Sequence, residues 1–179
     1  MKQLFKKKWL IAMLVFILIG SATPVFLSET SQAGVPPWRV IKNVNSGKVL
    51  GIGGTDKQSN GAHVVQWQRE YVMDQHWYIV NTGDGYVYFK NVASGLYLDV
   101  NGASSADGAT VIQWTKNDGW NQQWKLIQAN TSGQTSYYIQ NRGSGKYLEI
   151  AEYSTSNGSQ AIQWSLNTGS NQRWFIDYN

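Results

Sequence analysis

The chain has 179 residues, with 15 Lys and Arg against 11 Asp and Glu, two His and no Cys. The missing cysteines exclude thiol catalysis, disulfide staples and Cys-ligated zinc. Nine Trp and ten Tyr accompany a charged fraction of only 15%. That balance suits neutral, ring-shaped, hydroxylated ligands, although aromatic side chains are more often core residues.

In chain order the first element is a leader. Lys2, Lys6, Lys7 and Lys8 precede the apolar run Leu10 to Ile19, which is too short for a comfortable membrane span. Ser31-Gln32-Ala33 then offers small residues at a cleavage position. Residues 1–33 therefore read as a secretory signal peptide, with a single membrane anchor as the competing reading. Without the leader's four Lys and one Glu, 11 basic and 10 acidic residues remain, close to neutrality. No basic run survives, so a nucleic-acid partner is not expected.

Residues 34–179 form one domain-sized unit that carries a threefold internal repeat, approximately 38–84, 85–134 and 135–179. Trp67 leads to Trp77, Trp114 to Trp124 and Trp164 to Trp174, ten residues apart each time. Seven residues before each leading Trp stands a turn pair, Asn60-Gly61, Asp107-Gly108 or Asn157-Gly158. Earlier still come Ser46-Gly47, Ser94-Gly95 and Ser144-Gly145. A period near fifty means one supersecondary unit used three times. No segment keeps a 3.6-residue apolar period. Short runs such as Tyr86-Val87-Tyr88-Phe89 and Lys146-Tyr147-Leu148-Glu149-Ile150 read as strands, about four per repeat, with no substantial helix.

The apolar pairs Leu50/Ile52, Leu98/Val100 and Leu148/Ile150 have period two and point inward. The residues between them, Gly51, Asp99 and Glu149, then point outward, and the alternation is expected to present Asp99 to solvent. The trailing Trp77, Trp124 and Trp174 sit in Q-x-W triplets and read as core, with the Gln bonding backbone near a turn.

These motifs together, L-D-V, then Asn/Asp-Gly, then an aromatic residue ending a strand, then N-Q-x-W, resemble the ricin B-chain-like lectin family over essentially all of Trp38 to Asn179. The resemblance implies an all-β fold, the β-trefoil, with twelve strands of which six close a barrel. It also implies carbohydrate binding without catalysis, with galactose-configured and xylan-type glycans as the expected partners and no cofactor. Carried onto this sequence, the sugar pocket of the second repeat is Asp99, Trp114, Asn121 and Gln122. Asp99 would accept from two adjacent hydroxyls, Trp114 would stack under the ring, Asn121 would bond a neighbouring hydroxyl, and Gln122 would hold the loop or reach the same hydroxyl pair. The third repeat offers Glu149, Trp164, Asn171 and Gln172, with an acid one methylene longer. Trp120 is a candidate platform for a second sugar, and Tyr153 a candidate second wall. The first repeat has Gly51 in place of the acid, with Trp67, Asp74 and Gln75 retained, and reads as silent. Another acid such as Asp56 could substitute, but nothing in the sequence places it.

Other chemistries fit less well. His63 and His76 lack the spacing of a zinc site. Gly143-Ser144-Gly145-Lys146 lies at a hairpin turn common to all repeats and is not a phosphate loop. A small glycoside hydrolase would need a second carboxylate near Asp99, such as Asp107 or Asp118. A protein-binding trefoil, a toxin subunit or an inhibitor, remains an alternative, but it leaves the acid, aromatic and amide repeat without a purpose.

Overall fold

A computed structural model describes residues 37–131 and 133–178. The expected signal peptide, residues 1–33, lies outside the described residues. Twelve strands occur among them, four per repeat: β1 (Val40–Asn43), β2 (Val49–Ile52), β3 (Val64–Trp67) and β4 (Trp77–Asn81); β5 (Val87–Asn91), β6 (Tyr97–Val100), β7 (Val111–Trp114) and β8 (Trp124–Thr131); β9 (Gln134–Asn141), β10 (Tyr147–Ile150), β11 (Ala161–Trp164) and β12 (Arg173–Asp177). Three-residue 3₁₀ turns at Met73–Gln75, Trp120–Gln122 and Ser170–Gln172 precede the last strand of each repeat.

Six strands close a barrel, as a β-trefoil requires. The antiparallel order runs β1–β12–β9–β8–β5–β4. The ring shuts where Arg39 and Trp77 exchange backbone hydrogen bonds at 2.8 and 2.9 Å. Closure leaves the barrel no free edge. The other six strands form the hairpins β2–β3, β6–β7 and β10–β11. They meet at single bridges, His63 to Ile112, Thr110 to Ile162 and Val65 to Gln160, which link each repeat to the other two.

The core follows the period-two pattern. Leu50, Leu98, Leu148, Val100 and Ile150 are fully buried with Trp77, Trp124 and Trp174. Each of these indoles donates Nε1–H to a strand carbonyl, Leu50 O, Leu98 O or Leu148 O, at 3.0–3.1 Å. The polar end of each buried Trp is thereby satisfied.

The turn markers interlock the repeats in a ring. Ser46, Ser94 and Ser144 donate to Gln66, Gln113 and Gln163 of their own repeats at 2.6–2.7 Å. These glutamines, fully buried, donate through Nε2 to loop carbonyls of the preceding repeat: Gln113 to Lys57 and Ser59, Gln163 to Ser104 and Ala106, and Gln66 to Ser154 and Ser156. The Asn/Asp-Gly turns lie on the leading Trp of the following repeat. A Cβ built on Gly61 would stand 3.6 Å from the Trp114 ring, and one on Gly108 would stand 3.5 Å from that of Trp164. Both glycines have φ of at least +80°, where a Cβ is strained as well.

Candidate functional site

On β6, Tyr97 stands opposite Trp114 and Asp99 opposite Ile112 of β7. Opposed residues of an antiparallel pair share a face, as do residues two apart on one strand. Asp99 and Trp114 therefore lie on one face as diagonal neighbours, with Leu98 and Val100 on the other in the core. The third repeat copies this register, with Tyr147 opposite Trp164 and Glu149 opposite Ile162. Trp114 is 39% exposed and Trp164 41%, so neither indole is locked into the interior.

The expected exposure of Asp99 is corrected. Asp99 is 3% exposed and Glu149 4%. Alternation places each carboxylate on the face away from the core, and the 3₁₀ turns Trp120–Gln122 and Ser170–Gln172 then fold over that face. Gln122, fully buried, donates from Nε2 to Asp99 Oδ2 at 2.8 Å and to Thr115 O at 2.9 Å. Its Oε1 accepts from the Asn117 backbone N–H at 3.0 Å. Gln172 does the same with Glu149 Oε2, Ser165 O and the Asn167 N–H. Of the two roles open to Gln122, the structure shows loop holding: it orients the acid from beneath.

Burial without a cation pushes both acids up. Desolvation is the largest influence on Asp99, opposed by hydrogen bonds from Gln122 and Asn121. Glu149 is raised chiefly for the same reason and further by the Asp107 carboxylate, opposed by Gln172, Asn167 and Asn171. Among the described residues, no Lys or Arg forms an ion pair with either. A desolvated carboxylate without a counter-ion is stabilised by whatever donors reach it, so each is set to accept from hydroxyl or N–H groups.

The amide positions differ between repeats. Asn121 is half-buried and donates to Val100 O at 3.4 Å. Asn171 is 1% exposed, donates to Ile150 O at 3.1 Å and leaves Oδ1 without a partner. The hydroxyl of Tyr153, on a residue with φ of +54°, lies on Gly169 beside Asn171 Oδ1. The second repeat has Ala103 at the position of Tyr153. Asn167 joins the candidate site without being part of the motif: its Nδ2 donates to Glu149 Oε2 at 3.2 Å. The available signal was its place three residues after the leading Trp, shared with Asn117 and Glu70.

In the first repeat, Gly51, Trp67, Asp74 and Gln75 line a cavity of about 150 Å³ with Lys57 and Glu70. Lys57 pairs with Asp74 Oδ2 at 2.9 Å, and Trp67 donates Nε1–H to Glu70 Oε1 at 2.9 Å. A Cβ on Gly51 would meet Gln75 Cγ at 3.1 Å. Asp56 bonds Ser59 and the Gln58 N–H within its own turn and does not stand in for the strand acid. Among the described residues, no group of three or more His, Asp or Glu is set to hold a metal ion.

The chain is similar in fold and sequence to known proteins. The family model described as ricin-type beta-trefoil lectin domain-like matches residues 29–114 and 120–179. ThreeFoil, a designed threefold-symmetric protein, is 38% identical with a TM-score of 0.74, over 79% of this chain and 98% of that one. An exo-beta-1,3-galactanase from Clostridium thermocellum is also 38% identical, with a TM-score of 0.73 over 80% of this chain; the match spans only 30% of the enzyme. A Macrolepiota procera ricin B-like lectin, solved with lactose, shares the fold at 21% identity and a TM-score of 0.69, over 83% of this chain and 100% of that one. No curated protein matches. The chain belongs to the ricin-type β-trefoil lectin-like family.

Proposed function

We propose that this protein is a secreted, non-catalytic lectin whose main sugar site is Asp99, Trp114 and Asn121, held by Gln122, with a second site at Glu149, Trp164 and Asn171, held by Gln172. The observation that carries this reading is the pairing of a buried, cation-free carboxylate with a half-exposed indole on the same sheet face, twice. A pyranose has a C–H face that stacks on an aromatic plate and hydroxyls that satisfy a carboxylate. Each charge-assisted hydrogen bond contributes about 1.5–3 kcal/mol before ordering costs.

A non-catalytic role is supported by the surroundings of Asp99. The side chains that hydrogen-bond Asp99 are the amides of Gln122 and Asn121. Hydrolysis of a glycoside needs two carboxylates at controlled separation. Secretion is supported by the leader-like residues 1–33. A galactose-configured ligand is supported by the 38% identity to part of a galactanase, with xylan-type chains as the second class. Single shallow sites bind on the order of mM to tens of μM. Two of them on one rigid body add avidity on a multivalent glycan.

The test is retention of residues 34–179 on immobilised galactan and xylan, with reducing-sugar release measured in parallel. Asp99→Ala lowers retention sharply, Glu149→Ala lowers it less, and the double variant abolishes it. Unchanged retention in all three variants sinks the site assignment, and robust sugar release overturns the non-catalytic reading. Capture of a protein with no glycan retention would point to the protein-binding alternative.

A further inference from the structure

Beside the second-repeat site stands a feature that the other repeats lack. Trp120, immediately before Asn121, is 61% exposed, and Met73 and Ser170 hold the matching places. An indole this exposed would ordinarily be free to rotate, but Trp120 is braced. The guanidinium of Arg142 lies 5.0 Å from the Trp120 ring centre and 4.3 Å from that of Tyr86. Arg142 is itself fixed: Nη1 donates to Gln123 Oε1 at 2.7 Å and to Asp84 Oδ2 at 2.6 Å, and its backbone N–H donates to Gln123 O at 2.8 Å. At the matching turn positions the other repeats carry Val44 and Val92.

A planar apolar surface held by a cation–π contact loses little conformational freedom when a ligand lands on it. We propose that the second-repeat site takes two consecutive sugar rings of an oligosaccharide. One occupies the cup of Asp99 and Trp114, the next lies against Trp120, and Arg142 is the positioning residue. The third-repeat site takes one ring: Ser170 offers no plate, its hydroxyl donates to Asn45 Oδ1 at 2.9 Å, and Tyr153 walls the cup. This proposal rests on Asp99 being a sugar site.

The experiment is titration calorimetry in a Glu149→Gln background, which isolates the second repeat, using galactose, β-1,3-galactobiose, xylose and xylobiose. The preferred disaccharide binds at least about tenfold tighter than its monosaccharide, equivalent to about 1.4 kcal/mol. Trp120→Ala loses that gain while monosaccharide affinity moves less than twofold, Trp120→Phe keeps most of it, and Arg142→Ala keeps an intermediate share. A gain that is absent, or that survives Trp120→Ala, overturns the two-ring site with the single-sugar reading intact. No binding of any of the four sugars to the Trp120-containing protein overturns the Asp99 reading and this one with it.

Discussion

Gln122 Nε2 donates to Asp99 Oδ2 at 2.8 Å while both side chains are buried, so the orientation of the acid is set by the turn that covers it. Gln172 repeats this relationship with Glu149 at 2.8 Å. One oxygen of each carboxylate is thereby tied down. The Gln also fixes the loop that follows the leading Trp through Thr115 O or Ser165 O.

Removing Gln122 should therefore damage stability and binding together. Gln122→Ala leaves the Asn117 N–H, Thr115 O and Asp99 without their partner. The expected cost is about 1–3 kcal/mol, as for other buried polar groups stripped of a partner. Urea denaturation measures that loss. Glycan retention should fall several-fold even at temperatures where the variant is fully folded.

Acidity should act on binding and on stability with opposite signs. Burial raises Asp99 and Glu149, so between the unfolded and folded values the native state holds more protons than the unfolded one. Stability of the ligand-free protein then decreases as pH rises through that window and is recovered below it. Sugar binding needs the ionised acceptors, so retention should fall as pH drops through the folded values. Asp99→Asn should flatten both trends for its own share. Retention and denaturation midpoints across an acid-to-neutral pH series check both signs.

The interlock predicts that a residue of one repeat tunes the site of the next. Asn60 Oδ1 accepts from the Thr115 N–H at 2.7 Å and from the Thr115 hydroxyl at 3.0 Å, directly after Trp114. Asn60→Ala should weaken second-repeat binding roughly two- to fivefold, since each neutral hydrogen bond contributes about 0.5–1.5 kcal/mol. Asn157, which serves the Gln68 N–H of the first repeat at 2.9 Å, should leave it unchanged when replaced by Ala. Calorimetry in the Glu149→Gln background separates the two.

Restoring the strand acid in the first repeat should fail on its own. Gly51→Asp brings a Cβ to 3.1 Å from Gln75 Cγ and a carboxylate towards Asp74, whose carbonyl oxygen lies 3.5 Å away. The expected result is destabilisation of about 1 kcal/mol or more and no added glycan retention. Pairing it with Asp74→Asn removes the like charge and recreates the acid and amide set of the second repeat. A gain in retention by the double variant alone, in an Asp99→Ala and Glu149→Ala background, is the expected outcome.

Much of the local geometry is legible in the sequence. Period-two pairs put Leu98 and Val100 inside and Asp99 on the opposite face, and that assignment holds in the register of β6 against β7. The burial of Asp99 was not legible, because alternation names a face and says nothing of what covers it. The covering turn Trp120–Gln122 lies more than twenty residues away in sequence. Asn167, Lys57 and Glu70 were missed for the same reason: their roles come from loops brought together by the hairpins.

Strand periodicity and turn chemistry, which are local and written three times, fix a threefold all-β chain, its buried trailing tryptophans and the strand face that carries the acid. Packing between distant segments adds that acid and indole share that face, that the acids are desolvated, that each repeat's turn clasps the next repeat's tryptophan, and that Arg142 braces Trp120. Those facts depend on contacts between distant segments, and burial, which sets the energy of a charge, is a property of the packed whole.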